Sequence, residues 1–182
     1  MQTLLLVGAA FLLFVALAYN FLIGRRNQVD NIFASVDAQL KKRYDLIPNL
    51  VSAVKAALAH ERGLLETITT LRTEGLRVKA FEEVARVDAE LSAALGRLHV
   101  NVEAYPHLQA NQNLLHLQRT LVDVEEHISA ARRAYNQSVT DYNNAIEMIP
   151  TNLLARFLGY ERKKLFEIPP SLRQHPPLRP LS

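Results

Sequence analysis

Residues 3–23 are almost all apolar, and no charged side chain precedes Arg25. The run opens at Thr3 and carries Leu12, Phe14, Tyr19, Phe21 and Ile23; as a helix, about 20 such residues rise about 30 Å, one hydrocarbon core. The pattern predicts a transmembrane helix over residues 1–24. Its rival is a cleaved signal peptide, because Ala16-Leu17-Ala18 resembles a cleavage site. No Lys or Arg precedes the run, however, and it continues through Phe21, Leu22 and Ile23 past that site. Arg25 and Arg26 follow the run, and Lys41, Lys42 and Arg43 come soon after. Their bias predicts a single pass with the N-terminus outside and the main domain in the cytoplasm; a periplasmic or extracellular domain is the alternative.

Beyond the anchor the pattern becomes periodic. Val29, Ile32, Val36, Leu40, Tyr44, Ile47, Val51, Val54, Leu58, Leu65 and Ile68 recur mostly at steps of three or four, the stripe of an amphipathic helix. Pro48 interrupts it chemically but not in phase. The spacing therefore favours a continuous helix kinked at Pro48 over a new helix capped by Asp45 with Pro48 in its first turn. A break at residues 73–76, with Gly75, leads to a second stripe through Phe81, Val84, Val87, Leu91, Leu95 and Leu98. A third helix is expected from Pro106, or earlier from Asn101. Its stripe is the clearest in the chain: Leu114, Leu117, Leu121, Val124, Ile128, Ala131, Tyr135, Ser138, Tyr142, Ala145 and Ile149, broken only by Ser138, as in coiled-coil-like packing. Ile149-Pro150 ends that helix. A short amphipathic helix is expected over residues 152–159, and the proline-rich residues 168–182 read as an extended tail.

The predicted class is thus all-α: an N-terminal transmembrane helix, then an elongated antiparallel bundle of long helices over residues 25–167. With a kink at Pro48 the helices run up, down and up. Residues 156–166 then lie far from the bilayer of the anchor.

Composition narrows the chemistry. The 182 residues include no cysteine and no tryptophan and carry a net charge of +3. Disulfides and thiolate metal sites are excluded, and so small a charge excess gives no case for nucleic acid. No glutamate has a histidine three positions later, as a helical di-iron site requires. His60-Glu61 does not extend to H-E-x-x-H, and Asp123 with His127 reads as a surface pair on one helix. There is no G-x-S-x-G elbow and no clustered-glycine phosphate loop. No catalytic residue, metal site or cofactor is predicted, and the chain is not expected to be an enzyme. Lys41-Lys42-Arg43 reads as a solvated face. Arg156, Phe157, Tyr160, Lys163 and Phe166 interleave aromatics with cations, either as a membrane-interfacial segment or as a short helix packing on the bundle end. Pro177-Leu178-Arg179-Pro180 fits P-x-x-P, a common match in such a tail.

Several longer motifs run in the same order: Tyr19-Asn20, Asn27 and Asn31, QLKKRYDLIPNLV from Gln39, His60-Glu61, Glu103-Ala104-Tyr105-Pro106, ARRAYN from Ala131, VTDYNNAIE from Val139, and Ile149-Pro150-Thr151-Asn152-Leu153. With them the chain resembles the LemA family of bacterial membrane proteins. The resemblance implies one N-terminal membrane helix in the cytoplasmic (inner) membrane and an all-helical domain; it supplies no reaction and no catalytic residues. The proline-rich extension after Glu167 is longer than that pattern. Asn136 and Asn143 lie seven apart on one helix face, and with Asp45 and Asn49 they are expected to form a polar register lock between the first and third helices, surface capping being the alternative. The expected function is a membrane-anchored helical scaffold or interaction protein. Its partners would be the lipid bilayer, further copies of itself as a homo-oligomer, and other membrane proteins. A membrane-tethered ligand-sensing or adaptor module is the alternative.

Overall fold

A computed structural model describes residues 1–166, apart from the side chains of 59, 107 and 109. Glu167, the proline-rich tail and its P-x-x-P match lie outside the described residues. The order of elements is α1 (Gln2–Val54), a single 3-10 turn (Ala59–Glu61), α2 (Arg62–Gly75), α3 (Phe81–Glu103), α4 (Pro106–Gln109), α5 (Gln112–Glu147) and α6 (Thr151–Phe157). Among the described residues there is no strand. The chain forms two compact units, Met1–Asp37 with Ser129–Phe166 and a second built on Ala38–Ile128, so α1 and α5 each contribute to both.

In the second unit, α1 does not run on to Ile68 as its stripe suggests. It ends at Val54, the chain reverses through residues 55–61, and α2 packs back. Leu58, Leu65 and Ile68 are buried as the stripe requires, but in the reversal (Leu58) and on the returning arm (Leu65 and Ile68). Periodicity cannot separate a continuous helix from a helix hairpin whose two arms face one core.

Pro48 lies inside α1. Its ring nitrogen has no hydrogen to give to the Tyr44 carbonyl four residues back. That carbonyl accepts instead from Arg72 Nε of α2 at 2.9 Å. The proline thus releases an acceptor that ties α2 to α1. It releases no donor that Asp45 could accept from, and Asp45 is exposed.

Gly75, in the same last turn of α2 as Arg72, closes the contact with Tyr44. A Cβ built there would stand 2.5 Å from Tyr44 Cζ and 2.6 Å from its hydroxyl oxygen. The Tyr44 side chain is buried and has little room to move. Gly75→Ala should therefore cost about 1–3 kcal/mol by overpacking, readable as a lower midpoint in urea unfolding. An unchanged midpoint would mean that the Tyr44 ring shifts freely.

After the turn at residues 76–80, α3 carries Glu82 and Glu83 in its first turn, where acidic groups suit the helix dipole. Pro106 opens only the short α4. The long helix starts later, at Gln112, because Asn111 is its N-cap: Asn111 Oδ1 accepts from the backbone N–H of Asn113 at 3.0 Å and of Leu114 at 3.3 Å. Its stripe is buried in the body of the protein at Leu114, Val124, Ile128, Tyr135 and Tyr142 and half-buried at Leu117 and Leu121. Ser138, the polar interruption, is buried and donates to the Tyr135 carbonyl at 2.7 Å. At the other end the Thr151 hydroxyl reaches the carbonyl of Ala145, in the last turn of α5, at 2.5 Å and that of Met148 at 2.9 Å.

Candidate functional site

Two constructions stand out, one in each unit. In the first unit, residues 160–166 run as a strap along α5. Asn143 pairs with both backbone groups of Lys163: its Nδ2 donates to the Lys163 carbonyl and its Oδ1 accepts from the Lys163 N–H, each at 3.0 Å. Asn136 does the same at Phe166, donating to the carbonyl at 3.0 Å and accepting from the N–H at 2.8 Å. Between and beyond these pairs the Tyr135 hydroxyl donates to the Lys164 carbonyl at 3.3 Å and the Tyr142 hydroxyl to the Glu161 carbonyl at 3.1 Å.

Side chains of the strap add to this backbone ladder. Phe166 is buried with its ring edge-on to Tyr135, centroids 5.2 Å apart, and Tyr135 in turn meets Phe33 at 5.6 Å. Lys163 pairs with Asp30 of α1. The Arg26 guanidinium lies over the Tyr160 ring at 5.6 Å, and Arg25 approaches Asp141 at 3.6 Å. Residues 156–166 thus share a unit with the start of the chain, contrary to the up-down-up expectation. The extra reversal at residues 55–61 makes α5 return antiparallel to α1.

These contacts redistribute the sequence-predicted residues. Asn136 and Asn143 hold the strap, while Asp45 and Asn49 are exposed residues of the other unit, so the four do not form one lock between α1 and α5. The interfacial group divides: Phe166 is buried, Tyr160 and Lys163 are half-buried under the strap contacts, and Arg156 and Phe157 are exposed. Of the anchor residues, Thr3, Leu12, Phe14, Tyr19 and Phe21 are exposed, Ile23 and Arg25 are partly covered, and Arg26 is exposed. α1 is long and apolar enough to cross a membrane.

The Tyr142 phenol is held above the usual tyrosine range, chiefly by burial; Tyr160, Asp30 and Glu161 add to the rise and Arg26 opposes it. A raised value means that the folded state holds the proton more tightly than the unfolded chain. Its stabilising contribution is complete below the ordinary value of about 10 and is lost as pH rises through the folded value. Stability should fall above about pH 10 in the native protein and less steeply in Tyr142→Phe, measured by urea unfolding across that range. Parallel curves for the two would remove Tyr142 as the cause.

In the second unit, Arg43 is buried at 1% exposure, so only Lys41 and Lys42 of that basic run form a solvated face. Arg43 Nη2 donates to Asp88 Oδ1 at 2.6 Å, and Nη1 donates to Ser92 Oγ at 2.9 Å and Glu125 Oε2 at 3.0 Å. Asp88 is buried as deeply, whereas Glu125 is close to half exposed. Arg43, Ser92 and Glu125 line a cleft of about 350 Å³ together with Leu50, Leu95, Leu98, Val102 and Leu121 and the polar Gln118 and His99. Asp123 and His127 are both exposed on α5.

Comparison with known proteins adds a family. Residues 32–179 match the model of the LemA family. Two curated proteins of Paramagnetospirillum magneticum, magnetosome proteins MamQ 1 and MamQ 2, are each 25% identical over 188 aligned positions, covering 89% of this chain and 69% of theirs. Magnetosome protein MamQ of Magnetospirillum gryphiswaldense is 24% identical with the same coverage.

Proposed function

Because the chain belongs to the LemA family, an all-helical membrane-associated class, we propose that it is a non-catalytic membrane-anchored scaffold that self-associates through its anchor. The carrying observation is where the apolar surface remains. The heptad stripe of α5 is used within the chain, whereas every residue of 1–14 on α1 is exposed. A contiguous apolar surface of that size is covered by lipid or by other helices. Arg25 and Arg26 at the end of the span favour a cytoplasmic domain. A cysteine placed at exposed Val100 would then resist membrane-impermeant thiol reagents in intact cells, and ready labelling would reverse the orientation.

Light scattering on the detergent-extracted full-length protein tests the scaffold. A defined multimer that persists on dilution supports it, and a monomer across detergents removes self-association. One observation favours a second reading as an adaptor or sensor. The largely apolar cleft with Arg43, Ser92 and Glu125 in its lining has the size and mixed character of a small-molecule site. A rise in melting temperature with an amphipathic small molecule, lost in Leu121→Trp, would support that reading.

A further inference from the structure

We propose that residues 148–157, the turn after α5 and the whole of α6, form a second membrane contact that sits in the same leaflet as the C-terminal end of the α1 span. This rests on the reading that the apolar part of α1 crosses a bilayer.

The argument is one of level along α1. Within the first unit, Phe33 meets Tyr135 and Arg25 meets Asp141, so α5 descends α1 antiparallel. Met148 lies seven residues past Asp141, about 10 Å further toward the span at 1.5 Å per residue. That is the level of Ala18, and the burial on α1 agrees: Ala18 and Leu22 are covered, whereas residues 1–14 are not. The chain climbs out again at Tyr160, beside Arg26. Everything between Asp141 and Tyr160 therefore lies on the membrane side of the two arginines that mark the end of the span.

The chemistry of that stretch suits lipid. Ile149 is 83% and Phe157 87% exposed, and Met148 and Leu153 are exposed beside them. Such exposure of large apolar side chains in one small element is a poor surface for water. Residues 142–159 contain only two side chains charged at neutral pH, Glu147 and Arg156, of opposite sign, and Glu147 pairs with Arg162 at 2.7 Å. At 5–10 Å below the charged boundary, an amphipathic element meets the junction of head groups and acyl chains. Exposed Arg26 and Arg156 stand nearby to meet anionic head groups.

The absence of tryptophan provides a clean test in the full chain. Phe157→Trp and, separately, Phe14→Trp each introduce a single reporter at an exposed position. Each variant is reconstituted into phosphatidylcholine–phosphatidylglycerol vesicles, with the phosphatidylcholine brominated at a shallow or a deep acyl position. The expected result is a blue-shifted Phe157→Trp emission, quenched more by shallow than by deep bromine and protected from aqueous iodide. Phe14→Trp should be quenched more by deep bromine. Iodide quenching of Phe157→Trp without bromolipid quenching would overturn the proposal. So would resistance to both quenchers, which would mean that another protein surface covers α6. If Phe157→Trp fails while Phe14→Trp is quenched by bromolipid, the second contact falls and the span stands; if both fail, the span reading falls with it.

Discussion

Arg43→Ala should destabilise the protein by about 3–5 kcal/mol, the cost of leaving a buried carboxylate without its counter-charge. Asp88 is nearly as inaccessible as Arg43. Glu125 is close to half exposed and should contribute much less to the loss. The double replacement Arg43→Met with Asp88→Leu should recover most of the stability, because an apolar pair of similar volume avoids the desolvation of both charges. Urea unfolding of the detergent-solubilised protein, followed by far-UV circular dichroism, would measure all three. If Arg43→Ala costs no more than a surface substitution, the cluster is solvated and the buried arrangement is wrong.

The second large effect belongs to the strap. Replacing Asn136 and Asn143 together by alanine removes four hydrogen bonds, each contributing about 1 kcal/mol, so opening of the strap should become about 10²–10³ times more populated. Arg162, Lys163 and Lys164 make that opening visible to trypsin. When opening is fast relative to cleavage, the rate of cutting follows the open population. The fragment ending at residues 162–164, followed by mass, should accumulate faster by that factor in the double variant, with the single variants intermediate. Equal rates in the native protein and the double variant would show that other contacts hold the strap.

Much of the helical content was legible because it rests on periodicity, which local chemistry does not disturb. The long stripe of α5 and the break at Ile149-Pro150 needed no tertiary information. The reversal at residues 55–61 did. It has no glycine or second proline to announce it, and it depends on Arg72 reaching the carbonyl that Pro48 leaves open and on Gly75 admitting the Tyr44 ring. Neither partner is close in sequence. Missing that turn misplaced residues 156–166, and with them the partners of Asn136 and Asn143.

The buried cluster had a signal that was passed over. Arg43 stands three residues after Leu40 and four before Ile47. Asp88 stands four after Val84 and three before Leu91, and Glu125 four after Leu121 and three before Ile128. Each charge thus stands beside a stripe member (Tyr44, Val87 and Val124) and at helical spacing from the next ones, at the margin of an apolar face, where an ionised group gains from a partner. The charged neighbours of the stripes, and not only their apolar members, include all three. Their pairing with one another still required the fold.

The strap is recognised through its peptide groups, and this makes it a ruler more than a recognition sequence. Seven helical residues between Asn136 and Asn143 span about 10.5 Å, and three extended residues between Lys163 and Phe166 span about 10 Å. Substitution at exposed Leu165 leaves both amide pairs intact. A single residue inserted beside it would push one pair out of step by about 3.3 Å. At Leu165 the protein tolerates a change of letter and refuses a change of count.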